Sequence, residues 1–183
     1  MSRFITLSLI SFACSLLLSS SLPPHPDDLR WYTMEEVIQI KKDNPEDGKF
    51  IFIDVYTDWC GWCKRMDATT FTHPEIVETF QQYFYPVKFD GEARRDIQFG
   101  EQTFKYVAQG RRGYHELAAA LLQGKLTYPT VVFMDEGFNM IQPLAGYQTP
   151  EQLLPILHFI GSGSFRNQPW EEFMAAWKAS AQN

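Results

Sequence analysis

Cysteine is scarce in this chain. Its 183 residues hold three, too few for a scaffold stapled by disulfides. Basic charge is short as well: 16 Lys and Arg stand against 22 Asp and Glu, leaving a net charge of −6. Nucleic-acid binding needs a basic footprint, so no nucleic-acid partner is expected. Beyond residue 25 no apolar run reaches the roughly 18–20 residues that cross a bilayer. The sequence after the first segment holds no internal repeat and no low-complexity tract. What remains is ordinary globular composition, 45% apolar and 15% aromatic, of a length that suits one domain around a buried core.

Residues 1–21, MSRFITLSLISFACSLLLSSS, have one Arg near the start, then a Leu-, Ile- and Phe-rich run, then small serines. No acidic residue comes before Asp27. This is the layout of a secretory signal, so export to a periplasmic or secreted location is expected. Cys14 follows Ala13, as at a lipoprotein cleavage site. Ser11 and Phe12 fit such a site poorly, and the apolar run continues through Leu16, Leu17 and Leu18. A membrane attachment is expected only if Cys14 is acylated. With Cys14 removed or acylated, Cys60 and Cys63 are the two free thiols of the mature chain, in an oxidising compartment.

Residues 22–32 read as a linker, Pro-rich and polar through LPPHPDDLR, and residues 33–183 as one domain. Thr33 and Glu36 form a capping box ahead of a helix with Met34, Val37 and Ile38 on one face. FIFIDVY, residues 50–56, is a nearly continuous apolar run that suits a strand buried on both faces. A helix is expected from about Cys60, another from Thr72-His73-Pro74-Glu75, and a strand over 84–89. Residues 91–126 read as an insertion: a hairpin over 96–107 turning at Gly100-Glu101, then a helical stripe from Tyr114 through Leu117, Ala118, Leu121 and Leu122. Strands over 131–134 and 138–144 flank the turn at Asp135-Glu136-Gly137 as an antiparallel hairpin. Thr149-Pro150-Glu151-Gln152 starts a helix that Gly161-Ser162-Gly163 stops. Residues 164–183 form a helical extension whose Trp170, Phe173, Met174 and Trp177 share one side, as core or docking surface. Strands separated by helices, then a terminal hairpin, predict an α/β fold: a mixed sheet with helices on both faces.

Asp58-Trp59-Cys60-Gly61-Trp62-Cys63-Lys64 follows a buried strand and opens a helix. Two cysteines three apart there can close a small disulfide. The first also lies beside the helix's orphan N–H groups and positive dipole end, which favour thiolate over thiol. A thiolate is the nucleophile of disulfide exchange, and a second thiol one turn away resolves the mixed disulfide at high effective concentration. A zinc site wants four ligands, and His73, His115 and His158 are scattered singly, so no metal is expected. Haem attachment needs His after the second Cys, where this chain has Lys64. A purely structural bridge would close too small a loop to stabilise much.

The run from Phe50 to Lys64, with Tyr128-Pro129-Thr130 ahead of an apolar strand, resembles the thioredoxin superfamily, in particular exported thioredoxin-like and thiol:disulfide interchange proteins. The similarity spans roughly residues 33–160. It implies a thioredoxin-like fold, Cys60 as attacking thiol and Cys63 as resolving thiol. It also implies a cis Pro129 beside them, the Tyr128 backbone pairing to substrate, and Asp54 as the buried acid, with Lys88 accompanying it. Gly61-Trp62 stands where thioredoxins proper have Gly-Pro, a pair that tunes thiol acidity and potential.

Each supporting residue has a plainer alternative. A carboxylate inside FIFIDVY is costly unless paired or protonated; Asp54 is a proton acceptor for Cys63 or a strand acid satisfied by Lys88. By composition alone, Pro129 is a strand-entry proline. Trp59 suits the core as well as the site, whereas Trp62, between the cysteines, is expected at the surface facing substrate. Arg111, Arg112, His115 and Glu116 make a polar cluster opening the inserted helix, an anion or partner site or, more commonly, a solvated helix end. The expected function is thiol–disulfide exchange without a bound cofactor, as reductase or isomerase. Its catalytic residues are Cys60, Cys63, Asp54 and Pro129, with Trp59, Gly61, Trp62 and Tyr128 contacting substrate. Protein or peptide disulfides and an upstream redox protein are the expected partners. Two rival readings stay open: a partner-binding module whose cysteine pair is a clamp, and a thiolate metal-delivery protein.

Overall fold

The computed structural model describes residues 29–180. The expected signal of residues 1–21, Cys14 and the first part of the expected linker, 22–28, lie outside the described residues.

The expected α/β fold forms. Four strands make the central sheet: β1 (Phe50–Tyr56), β2 (Phe84–Asp90), β7 (Thr130–Met134) and β8 (Met140–Ala145), in the order β2-β1-β7-β8. β1 and β2 are parallel, while β7 is antiparallel to both β1 and β8, so the sheet is mixed. β1 is central and covered on both faces, which is why FIFIDVY is apolar at nearly every position. Ile51, Ile53 and Val55 face one core with Met34 and Val37 of α1 (Met34–Asp43) and Leu117 and Leu121 of α4 (Glu116–Leu121). Phe50 and Phe52 face the other, with Met66 of α2 (Gly61–Thr69), Ile76 and Phe80 of α3 (Pro74–Tyr83) and Leu157 of α5 (Pro150–Gly161). Asp54 continues the phenylalanine face, because side chains on a strand alternate. Phe52 lies 4.6 Å from Phe80 and 5.4 Å from Phe133, ring to ring. Removing so buried an aromatic costs about 3–5 kcal/mol.

Helix starts follow the sequence closely. Thr33 and Glu36 form a complete capping box at α1, and Thr149 and Gln152 form another at α5, with Pro150 at the first helical position. The turn at residues 135–139 is held by Asp135, whose Oδ1 accepts N–H bonds from Gly137 and Asn139. That turn delays β8 to Met140.

The structure differs in four places. Leu29–Tyr32 are not linker: Leu29 and Trp31 pack on the phenylalanine core, and Tyr32 N–H donates to Pro86 O while its carbonyl accepts from Lys88 N–H. The insertion holds two hairpins rather than one. β3 (Ile97–Phe99) pairs with β4 (Gln102–Phe104) across the expected turn, and β5 (Tyr106–Gln109) pairs with β6 (Arg112–His115). Tyr114 is therefore a strand residue, and α4 starts at Glu116. Gly113 makes this second hairpin possible, since a Cβ there would lie 2.2 Å from Val107 O. Finally, the expected helix end is not solvated as a whole: His115 is the N-cap of α4 and Glu116 its first residue. His115 is fully buried, its Nδ1 accepting from Leu117 N–H and its Nε2 bonded to Arg95 O, while Arg111 and Arg112 are exposed in the hairpin.

α6 (Trp170–Ser180) packs its aromatic stripe on α5, with Phe159 5.0 Å from Phe173 and His158 4.9 Å from Trp177. None of its residues is fully buried.

Candidate active site

β1 delivers the chain to a tight turn in which Cys60 N–H donates to Thr57 O at 3.0 Å. Cys60 is then the N-cap of α2, its sulfur accepting the Cys63 N–H at 3.1 Å. The two cysteines are joined in a disulfide, and both are buried in that state. The first turn of α2 carries no acidic residue. Nothing on the helix itself therefore offsets its positive end, which favours negative charge on the capping sulfur.

Two loops meet at this end of the sheet. Val55 pairs with Thr130 in register, which puts the preceding Pro129 level with the end of β1. The Tyr128–Pro129 peptide is cis. Tyr128 is half-buried, its ring 5.9 Å from that of Trp59 and edge-on to it. Burial, with Glu92 and Asp90 nearby, pushes its phenol up to about 12. The ring sits where Gly91 leaves room: a Cβ on Gly91 would lie 2.5 Å from the Tyr128 hydroxyl.

Trp59 is not a core residue. It is 50% exposed, and Trp62 57%. Trp59 Nε1–H donates to Glu92 Oε1 at 3.0 Å, and the guanidinium of Arg112 lies over its ring at 4.4 Å. Trp62 packs at 5.5 Å on Tyr147, with Arg65 over its ring at 5.5 Å. Between them Gly61 is exposed, with open space where a side chain would be.

On the face of β1 that α2 covers, Asp54 is 1% exposed. It pairs in register with Lys88 of β2, whose Nζ donates to Asp54 Oδ2 at 2.5 Å. Lys88 also donates to Asp67 on α2. Among the described residues, Asp54 Oδ1 is buried without a hydrogen-bond partner. Burial raises the Asp54 carboxyl to about 6; Lys88 opposes the rise and Asp67 adds to it. Burial works against the Lys88 ammonium, but Asp54 and Asp67 outweigh it and hold its pKa above the ordinary value. The rings of Tyr56 and Trp31 lie 4.8 and 4.9 Å from Nζ. A cavity of about 600 Å³, lined in part by Trp31, Asp67, Phe71 and Lys88, opens beside the ammonium.

Cys60, Cys63, Trp59, Trp62, Tyr128 and Pro129 thus gather at one end of the sheet, with Asp54 and Lys88 two residues before the ends of β1 and β2. Asp67, Glu92, Arg112, Arg65 and Tyr147 complete the surroundings; the sequence drew attention to Arg112 alone, and there as part of a solvated helix end rather than of this site. Asp67 had a signal, standing one helical turn after Cys63 on the same face. The other four are brought in by tertiary contacts. Among the described residues no three His, Cys, Asp or Glu side chains converge as metal ligands would. The arrangement can present a sulfur nucleophile at a helix start, a second sulfur to displace it, and a buried carboxyl near neutrality to hold a proton.

Comparison with known proteins agrees with this geometry. A stretch of 36 residues, 20% of the chain, is 42% identical to the thiol:disulfide interchange protein DsbD of Tatumella citrea, of whose length it spans 6%. A thioredoxin-fold protein from Helicobacter pylori superposes with a TM-score of 0.53 at 19% identity, over 73% of this chain and 82% of that one. A thioredoxin from Thermus thermophilus gives 0.52 at 16% identity, over 72% and 86%. At these identities the two structures establish the fold. The thioredoxin-like domain family matches residues 39–161, two thirds of the chain and the whole central sheet, and the protein belongs to that family.

Proposed function

We propose that the protein is an exported thiol–disulfide oxidoreductase that reduces or isomerises disulfides of protein substrates. The observation that carries this reading is the Cys60–Cys63 disulfide at the start of α2; a buried carboxyl, Asp54, raised to about 6 on the strand that leads to it, supports it. Export rests on the composition of residues 1–21, and the working domain is residues 33–183 with Leu29–Tyr32 packed against it.

The cycle starts from the reduced pair. Cys60 attacks as thiolate, one sulfur of the substrate disulfide bonds to Cys60 Sγ, and the other leaves as a thiolate that takes a proton from water. Cys63 gives its proton to Asp54, attacks Cys60 Sγ, and expels the second substrate sulfur. Two electrons have passed to the substrate and the Cys60–Cys63 bridge has re-formed. A partner dithiol protein restores the reduced pair by the same steps in reverse. Asp54 suits the proton acceptor role because its pKa lies near neutrality and one oxygen is unengaged. Tyr128 and Pro129 offer backbone to an extended substrate, and Trp59, Gly61 and Trp62 form the surface it crosses.

Reduction of insulin disulfides by dithiothreitol tests the proposal. The wild type accelerates it and Cys60→Ser abolishes the acceleration. Absence of acceleration by the wild type would leave the cysteine pair a clamp in a partner-binding module.

A further inference from the structure

Two tryptophans flank the disulfide, and each carries an arginine on its ring. Trp59 is topped by Arg112 at 4.4 Å; Trp62 is topped by Arg65 at 5.5 Å, which also lies 5.8 Å from the Tyr147 ring. Trp59 and Trp62 are exposed large apolar side chains, so both pairs face solvent where a substrate must come. Among the described residues neither guanidinium has a carboxylate partner. A guanidinium resting on an indole keeps its N–H donors at its edge and loses little freedom on binding a carboxylate.

The two sides are unequal in charge. Beside Trp62 stands Arg65, with the exposed Lys64 two residues along α2 and the hydroxyls of Tyr147 and Thr69 bonded to each other at 3.0 Å. The nearest acid of α2, Asp67, is held by Lys88. Beside Trp59 stand Arg112 and Glu92, with Asp90 close to Glu92 and to Asp58. Glu92 is engaged by the Trp59 indole, and Asp90 accepts the Glu92 N–H. Among the described residues each flank therefore carries a guanidinium without a carboxylate partner, Arg65 being engaged by the Tyr147 hydroxyl, and acids stand near only on the Trp59 flank.

We infer that this surface selects disulfide-bonded polypeptide segments carrying acidic side chains next to the reacting cysteine, read chiefly by Arg65 and secondarily by Arg112. The inference rests on the oxidoreductase reading and names its substrate class. It also gives the insertion a task, since the β5–β6 hairpin supplies Arg112 to a site formed by other elements. The charge complementarity is the argument: an acidic segment meets guanidinium groups that lack a carboxylate partner on an aromatic floor, whereas a basic segment leaves them facing like charge.

The test uses peptides with one central cysteine bonded to glutathione, flanked by glutamates, alanines or lysines, with dithiothreitol as reductant. Hydroxyethyl disulfide serves as an uncharged comparison. The expected kcat/KM order is glutamate over alanine over lysine, with a gain of about three- to fivefold per engaged arginine at low salt. The preference collapses near 1 M salt, where screening acts within about 3 Å. Arg65→Ala removes most of it, Arg112→Ala a smaller part, Arg65→Lys retains it in part, and Arg65→Glu inverts it. Equal rates on all flanks by a protein that still reduces hydroxyethyl disulfide overturn the inference alone. A preference unchanged in the Arg65→Ala/Arg112→Ala double variant does the same. Failure to reduce any disulfide overturns the oxidoreductase reading with it.

Discussion

The Lys88 ammonium lies 2.5 Å from Asp54 Oδ2, on the neighbouring parallel strand and in register with it, and on its other side it donates to Asp67. One cation thus serves two carboxylates. Asp54 is buried and receives only part of that charge, so its ionised form stays costly and its carboxyl sits at about 6. A buried acid fully matched by its own lysine would ionise well below that.

This gives a signed prediction for stability. The folded pKa of Asp54 is raised, so the stability owed to its neutral form is complete below about pH 4 and lost as pH rises through about 6. The loss at pH 7.5 is on the order of 3 kcal/mol. Asp54→Asn therefore raises the melting temperature at pH 7.5 and changes it little at pH 4, while slowing disulfide exchange. Thermal melts at both pH values check it; a destabilised variant at pH 7.5 would show that the ionised acid supports the fold.

Asp67→Asn leaves Lys88 wholly to Asp54 and removes a nearby negative charge. The Asp54 carboxyl then falls below about 6. The acidic limb of the pH–rate profile moves to lower pH by a measurable fraction of a unit. An unmoved limb would show that Asp54 does not titrate in the rate-determining step.

Gly91→Ala places a methyl against Tyr128, 2.5 Å from its hydroxyl. The ring must shift, at a cost of about 1–3 kcal/mol. Because that ring packs edge-on to Trp59, kcat/KM for peptide disulfides falls together with the melting temperature. A variant with wild-type stability would mean that the Tyr128 ring moves freely.

Cys60 caps α2 while Cys63 lies one turn inside it, and reduction of their bridge frees both thiols. Iodoacetamide therefore modifies Cys60 first, at neutral pH, and mass spectrometry of the digested protein finds the label there. Equal labelling of both cysteines contradicts their assignment as attacking and resolving thiols.

Much of this was legible in the sequence because the signals are local. The capping boxes at Thr33 and Thr149, the apolar run of β1 and the acid within it are each written in a few consecutive residues. So are the cysteine pair and the Tyr-Pro-Thr ahead of β7. Trp59 was not legible: an aromatic beside a cysteine is core or surface according to how its loop folds, and here Glu92 and Arg112 hold it outward. His115 looked like part of a charged helix end because Arg111 and Arg112 precede it. Strand alternation in β6 turns it inward, which only the hairpin pairing reveals. Leu29–Tyr32 followed a proline-rich stretch and were read with it, although Trp31 finds its partners in Phe71 and Phe80 far along the chain.

A redox titration of the Cys60–Cys63 pair against glutathione, followed by thiol trapping and mass, tests the central claim most directly. Reversible conversion between bridged and dithiol forms in a single two-electron step, at a potential below about −200 mV, is the result predicted for a reducing thioredoxin-like protein. A bridge that excess dithiothreitol leaves intact, or thiols that do not close again on oxidation, contradicts it.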